Sequence, residues 1–242
     1  MSMSRRGFIV GAAASLAAVT PRSVPIKAVA LDAFAIFDPR SVSSFADAMY
    51  PGVGLGDEWR MRQFEYTWLR VAARHYVDFW QVTEDALVFA ANKLRVNLSP
   101  GSRATLMNEF LKLSAWPDVV PALEPLKRSG IRLTLLSNFT QRMLSANIAS
   151  AGLHELFEQV LSTDRIQSYK PDPRAYQIGV DALKLKRQEV LFVAFAGWDA
   201  AGAKLFGYPT FWVNRQKLPG EELGVSADAS GETLRDLVQF ML

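Results

Sequence analysis

The sequence predicts an α/β protein: a Rossmann-like parallel sheet core with an inserted helical cap domain. Three observations carry that expectation. Short apolar runs alternate with helical segments, the pattern of a parallel sheet built from crossover connections. A chain of 242 residues with 50% hydrophobic content can bury one substantial core plus a smaller appendage. From about Arg40 to Pro117 no strand signal occurs, only helical stretches, so this segment must fold as a layer of its own over the strand ends.

Taken in order, the chain opens with Arg5-Arg6-Gly7-Phe8-Ile9 and a small-residue apolar run from Gly11 to Val19, too short to span a bilayer comfortably. The arginine pair resembles a twin-arginine export signal over residues 1–22, which implies a periplasmic protein and an encounter with the export machinery. Residues 25–39 and 118–242 form the expected core, and residues 40–117 the cap. Core strands are expected at Ala28–Leu31, Ile131–Leu136, Gln159–Leu161, Val190–Phe195 and Thr210–Val213. Between them, Asp118 is placed to cap a helix stopping at Gly130, a second runs from Gln141 to Gly152, and a third follows Pro173. A fourth starts at Asp199 and stops at Gly207. The cap reads as Glu58–Val82, then Thr83 capping Glu84–Leu94, then Ser99 capping Pro100–Leu113.

Composition removes several function classes. The formal charge of +3 comes from the leader: Arg5, Arg6 and Arg22 precede the first acid, Asp32, so a product cut near Arg22 is neutral (+3 − 3 = 0). The basic balance therefore says nothing in favour of nucleic acid, and no nucleic-acid partner is expected. The absence of cysteine excludes disulfides, thiolate metal sites and cysteine nucleophiles. His75 and His154 have no ligand-spaced partner, and neither a metal nor a cofactor is expected.

The chemistry centres on Asp32, which closes the apolar run Lys27-Ala28-Val29-Ala30-Leu31. A carboxylate where a buried strand runs into a loop faces a crevice with the next backbone N–H groups and can serve as a nucleophile. Two residues on, where phosphoryl transfer would need an acid to protonate the leaving oxygen, stands Phe34. A halide leaves without a proton, so Asp32-Ala33-Phe34 suits carbon–halogen displacement better than phosphate hydrolysis. Ser137 and Asn138 end the second strand with a hydroxyl and an amide able to bind carboxylate and halide. Arg60 brings a planar donor array from a cap helix. Lys170 precedes Pro171, which holds its backbone away from helix and lets the ammonium be aimed inward.

Trp59-Arg60 with Gln63–Arg70, Thr83–Leu87, Leu136-Ser137-Asn138, Tyr169-Lys170-Pro171-Asp172 with Arg174 and Tyr176, and Trp198-Asp199-Ala200 with Asn214-Arg215 occur in an order that resembles the haloacid dehalogenase superfamily. Within it, the likeness is to (S)-2-haloacid dehalogenases. The resemblance implies that Asp32 displaces halide from a small 2-haloacid and that water then releases a 2-hydroxy acid from the aspartyl ester. It implies that Arg60 assists the departing halide, that Lys170 keeps Asp32 ionised, that Tyr176 hydrogen-bonds near the site, and that Asp199 orients the hydrolytic water. Phe34, Phe64, Phe79 and Trp198 would form the apolar wall that dries the halide site. A homodimer is compatible with this reading.

The chain also departs from the family pattern. Ile36 stands where a hydroxyl usually steadies the nucleophile, and Ala194-Phe195-Ala196-Gly197 replaces Ser-Ser-Asn-x ahead of Trp198-Asp199. Each hydrogen-bond partner lost by a buried charged group costs about 1–3 kcal/mol. Two other readings stay open: a repurposed protein of the same fold that binds small carboxylates, and, against Phe34, a phosphatase of the same superfamily.

Overall fold

The computed structural model describes residues 24–242; the expected leader, residues 1–22, lies outside them. In chain order the elements are β1 (Ala28–Leu31), α1 (Ala33–Ile36), α2 (Arg40–Met49), α3 (Leu55–Ala73), α4 (Phe79–Lys93), α5 (Pro100–Asn108), α6 (Val119–Arg128), β2 (Arg132–Ser137), α7 (Gln141–Ser150), β3 (Gln159–Ser162), α8 (Pro173–Leu183), β4 (Val190–Ala194), α9 (Gly197–Phe206), β5 (Thr210–Val213), β6 (Ala229–Gly231) and α10 (Leu234–Met241).

The strands form one parallel sheet in the order β3-β2-β1-β4-β5-β6. β1 is buried along its whole length, which is why its residues read as an unbroken apolar run rather than an alternation. Leu31 stands opposite Leu135 on β2 and Val193 on β4, so the carboxyl ends of three strands converge where the strand order reverses. In open α/β sheets that crevice is where ligands bind.

One face of the sheet packs under α8 and α9 through Tyr176, Phe192, Phe206 and Tyr208. The apolar cluster on the other face runs without a break from Val29 and Leu31 through Phe34 and Phe139 into Trp59, Phe79 and Leu106 of the cap. The chain leaves the sheet after Phe37 and returns at Trp116. The two crossings pair antiparallel: Asp38 N–H donates to the Ser114 carbonyl (2.9 Å) and Trp116 N–H to that of Ile36 (2.9 Å).

Several local expectations are corrected. The helix expected over Glu58–Val82 is two helices, broken at Arg74, which adopts a left-handed conformation (φ 52°). No glycine marks that stop, so the sequence carried no punctuation to read. Thr83 does not cap a helix: it lies inside α4, where its hydroxyl donates to the Phe79 carbonyl (2.6 Å) and accepts from Gln63 Nε2 (2.6 Å), tying α3 to α4. Asp78 is the cap, accepting from Gln81 N–H at 2.8 Å. Ser99 does cap α5, which gives way at Glu109 to a 3-10 turn. Asp199 falls in the first turn of α9 rather than ahead of it, leaving its side chain for other partners.

Asp118 precedes α6 without capping it. Its carboxylate instead receives Arg215 Nη1 and Nη2 (3.1 and 3.0 Å) and the Leu234 N–H that opens α10 (2.7 Å). The Arg215 guanidinium lies over the Trp116 ring at 4.4 Å. Both charged side chains are almost fully buried, at 8% and 9% exposure. Asp118→Ala is expected to cost about 3–5 kcal/mol, because it strands a buried guanidinium. Urea unfolding followed by circular dichroism measures this, and a cost under about 1 kcal/mol would show that water replaces the carboxylate.

Candidate active site

The site is assembled at the ends of β1, β2 and β4. Asp32 ends β1 and caps the single turn α1, its Oδ2 accepting from Phe34 N–H at 2.9 Å. This turns Oδ1 toward Lys170 Nζ, 2.7 Å away. The same ammonium donates to Asp199 Oδ2 at 2.6 Å, and the Tyr176 hydroxyl donates to Asp199 Oδ1 at 2.8 Å. Lys170 is 1% exposed. Its loop is held by Asn138, whose Oδ1 accepts from Lys170 N–H (2.9 Å) and Thr163 Oγ1 (3.3 Å). Asn138 Nδ2 donates to no described residue. Ser137 Oγ accepts from Phe139 N–H (3.1 Å), which leaves its hydroxyl proton uncommitted.

Burial opposes the charge on Lys170, but Asp199 and Asp32 outweigh it and hold the ammonium above its ordinary value. Asp199 goes the other way. Burial pushes its carboxyl up to about 6, against the pull of Lys170 and with help from Asp32. Burial also raises the Tyr176 hydroxyl well above the usual phenol range, so it remains a donor to Asp199 at all working pH values. One cation thus serves two carboxylates, and the second carboxylate sits where it can exchange a proton near neutrality.

Arg60 approaches from α3. Its guanidinium lies 5.3 Å from the Phe34 ring centroid, 5.8 Å from that of Phe195 and 5.9 Å from that of Phe64. Burial lowers its pKa, with Asp32, Asp38 and Asp57 acting in the opposite direction. Trp198 joins cap and core, its ring 5.5 Å from Phe64 and 5.6 Å from Trp68. Phe79 is displaced from its expected place. It packs behind Phe139 (5.5 Å) and against Tyr169 (6.1 Å), supporting the wall from one ring back. Phe139 takes the nearer position, edge-on to Phe34 at 5.1 Å. Phe139, Phe195 and Trp116 were not among the expected site residues. Phe195 shares the face of Val193 by strand alternation, the one signal in the sequence that points it toward the site.

The family model for haloacid dehalogenase-like hydrolases matches residues 27–207. The chain belongs to this family. It is 41% identical to an (S)-2-haloacid dehalogenase of Pseudomonas sp. (strain YL) over 218 residues, covering 89% of this chain and 94% of that protein. It is 36% identical to haloacetate dehalogenase H-2 of Moraxella sp. (strain B), covering 89% and 98%. Among solved structures, that of the L-2-haloacid dehalogenase of Xanthobacter autotrophicus with chloropropionic acid covalently bound is 31% identical, with a TM-score of 0.82 over 89% of this chain and 98% of that one. Ile36 and Ala194 of this dehalogenase-like chain are wholly buried, and neither side chain offers a donor or an acceptor.

Lys170→Met is expected to leave Asp32 and Asp199 facing each other without a cation, at a cost of about 3–5 kcal/mol at pH 8. Lys170 lowers the Asp199 pKa, so its removal lifts that pKa further above about 6. Proton uptake by the folded variant then neutralises Asp199 as pH falls, and the deficit relative to wild type shrinks between pH 8 and 5. Denaturant midpoints across that range measure it; a deficit constant with pH would mean that the carboxylates are not coupled through Lys170.

Proposed function

We propose that this chain hydrolyses the carbon–halogen bond of short (S)-2-haloalkanoic acids to 2-hydroxy acids, through an ester on Asp32. The observation that carries this reading is the buried Asp32–Lys170–Asp199 array facing Arg60, in a chain 41% identical to an (S)-2-haloacid dehalogenase. An Asp32 oxygen attacks C2 of the substrate in line with the halogen; the C–O bond forms as the C–X bond breaks, and the halide leaves with the bonding pair. Lys170 keeps Asp32 anionic and, with Arg60 and Asn138, offsets the charges of the substrate carboxylate and the departing halide.

Water then attacks the carboxyl carbon of Asp32, not C2, so configuration at C2 is inverted once and the product takes its new oxygen from the enzyme. Asp199 accepts the proton of that water. With its pKa near 6, it is ionised above neutrality, and each of its oxygens keeps a lone pair after meeting Lys170 and Tyr176. The proton then passes to the departing alkoxide of the product, which restores Asp32. Ile36, Ala194 and Ala196 supply no further group to hold the water. Displacement is fully equipped and ester hydrolysis is not, so hydrolysis becomes the slower step.

Purified protein mixed with excess (S)-2-chloropropionate is therefore expected to release a burst of about one halide per site before a slower steady rate, with the acyl mass trapped on the Asp32 peptide in quenched samples. Asp32→Asn abolishes both. Ala194→Ser with Ala196→Asn raises the steady rate more than the burst. A linear time course without adduct would refute the rate order, whereas no halide and no adduct from wild type would favour a carboxylate-binding protein.

We further propose that the folded chain is exported to the periplasm by residues 1–22, on the strength of Arg5-Arg6 and the apolar run behind them. Changing both arginines to lysine should retain the protein in the cytoplasm. Equal periplasmic yield of the two forms on fractionation would point to another route.

A further inference from the structure

Three arginines lie on α3, and among the described residues only one of them lacks a carboxylate within ion-pair distance. Arg62 pairs with Glu58 (3.5 Å) and Glu65 (2.6 Å), and Arg70 with Asp85 (2.8 Å). Arg60 is seated among rings instead. Of the three acids whose charge reaches it, Asp57 is exposed one turn back on α3 and outside ion-pair distance, and the other two are engaged elsewhere: Asp38 receives Arg40 Nε (2.9 and 3.0 Å) and Nη2 (2.7 Å), and Asp32 receives Lys170 and Phe34 N–H. Ring faces attract a guanidinium without neutralising it and leave its N–H edge free for an anion.

Two of the three rings, Phe34 and Phe64, flank positions already assigned to the site. The third, Phe195, lies in the stretch Ala194-Phe195-Ala196-Gly197, which carries no polar side chain. Its ring is backed on one side and its backbone is tied. Trp116 stacks on it from behind (6.3 Å, interplanar 26°) while donating its own Nε1 to the Phe34 carbonyl (3.0 Å), and the Phe195 carbonyl accepts from Trp212 Nε1 (3.1 Å). A short polar side chain in place of the ring, a serine or an asparagine, would give Arg60 a neutral partner to turn toward; the ring face holds the guanidinium in place and offers none.

We propose that Phe195 is a positioning residue for Arg60, and that by caging the guanidinium away from other partners it sets how poor a leaving halide the site can expel. This rests on the dehalogenase reading above. The effect is confined to the displacement step, where negative charge develops on the halogen, and it is larger for chloride than for bromide because the C–Cl bond needs more help to break.

The test compares single-turnover halide release from (S)-2-chloropropionate and (S)-2-bromopropionate in wild type, Phe195→Leu and Phe195→Tyr. Phe195→Leu is expected to slow the chloride burst about three- to tenfold, the span of one ring–guanidinium contact, and the bromide burst less than about twofold. Phe195→Tyr keeps the ring and restores the wild-type ratio. If Phe195→Leu does not fold, as judged by circular dichroism, Phe195→Met is unbranched, close in volume, and carries the same expectation. Equal slowing with both halides, or a Tyr variant that behaves like Leu, overturns the inference and reduces Phe195 to a packing residue. A wild-type protein that releases neither halide overturns the dehalogenase reading itself, a result distinct from either of these.

Discussion

The structure depends on one buried cation shared between two carboxylates. Lys170 lies 138 residues from Asp32 and 29 from Asp199 in sequence, yet its ammonium is within 2.7 Å of both. Removing three charges from water is costly unless the geometry is close and the other carboxylate oxygens are also hydrogen-bonded. Here they are. Phe34 N–H takes one Asp32 oxygen, Tyr176 takes one Asp199 oxygen, and Asn138 fixes the loop that delivers the lysine. Asp32 follows β1, Asn138 follows β2, Lys170 lies between β3 and α8, and Asp199 follows β4, so the array forms only when these four strands are in register and α8 and α9 are docked on the sheet.

The cap completes what the sheet begins. Its apolar cluster is continuous with that of the core, and two polar ties flank the junction: Tyr76 donates to Asp164, and Tyr169, the residue before Lys170, donates to the Val77 carbonyl. Phe64 and Trp68 of α3 meet Trp198, which directly precedes Asp199. The position of α3, and with it Arg60, is thereby fixed against the two loops that carry Lys170 and Asp199. Below the nucleophile, Trp116 links the same region to the buried Asp118–Arg215 pair, so the support for the site extends to the start of α10.

The apolar loop at the end of β4 bears on the chemistry in two opposite ways. That loop offers no hydroxyl or amide side chain to water, whereas its aromatic residue, Phe195, lies with its ring 5.8 Å from the Arg60 guanidinium. A desolvated cation interacts more strongly with charge developing beside it. On the mechanism proposed above, this divides a well-supported displacement from a thinly supported hydrolysis, along the line between Arg60 and Asp199.

The sequence by itself determined the alternation of strands and helices, the helical stretch between β1 and β2, and the strand-ending Asp32, because apolar runs and local motifs report burial and turn chemistry directly; that Lys170, Asp199 and Tyr176 meet around it is seen in the fold. Residues without a local signal were legible only in three dimensions. The break between α3 and α4 falls on an arginine in a left-handed turn, and β6 and α10 are short elements whose stability comes from packing on β5 and α6. Asp118 read as a cap and is half of a buried ion pair, because its partner lies 97 residues away. Phe195 read as a lost polar group and is a wall of the Arg60 site; Phe79 read as a wall and stands behind one. A side chain's residue type can be read along the chain, but which groups it faces is decided by elements that packing brings together from distant parts of the sequence.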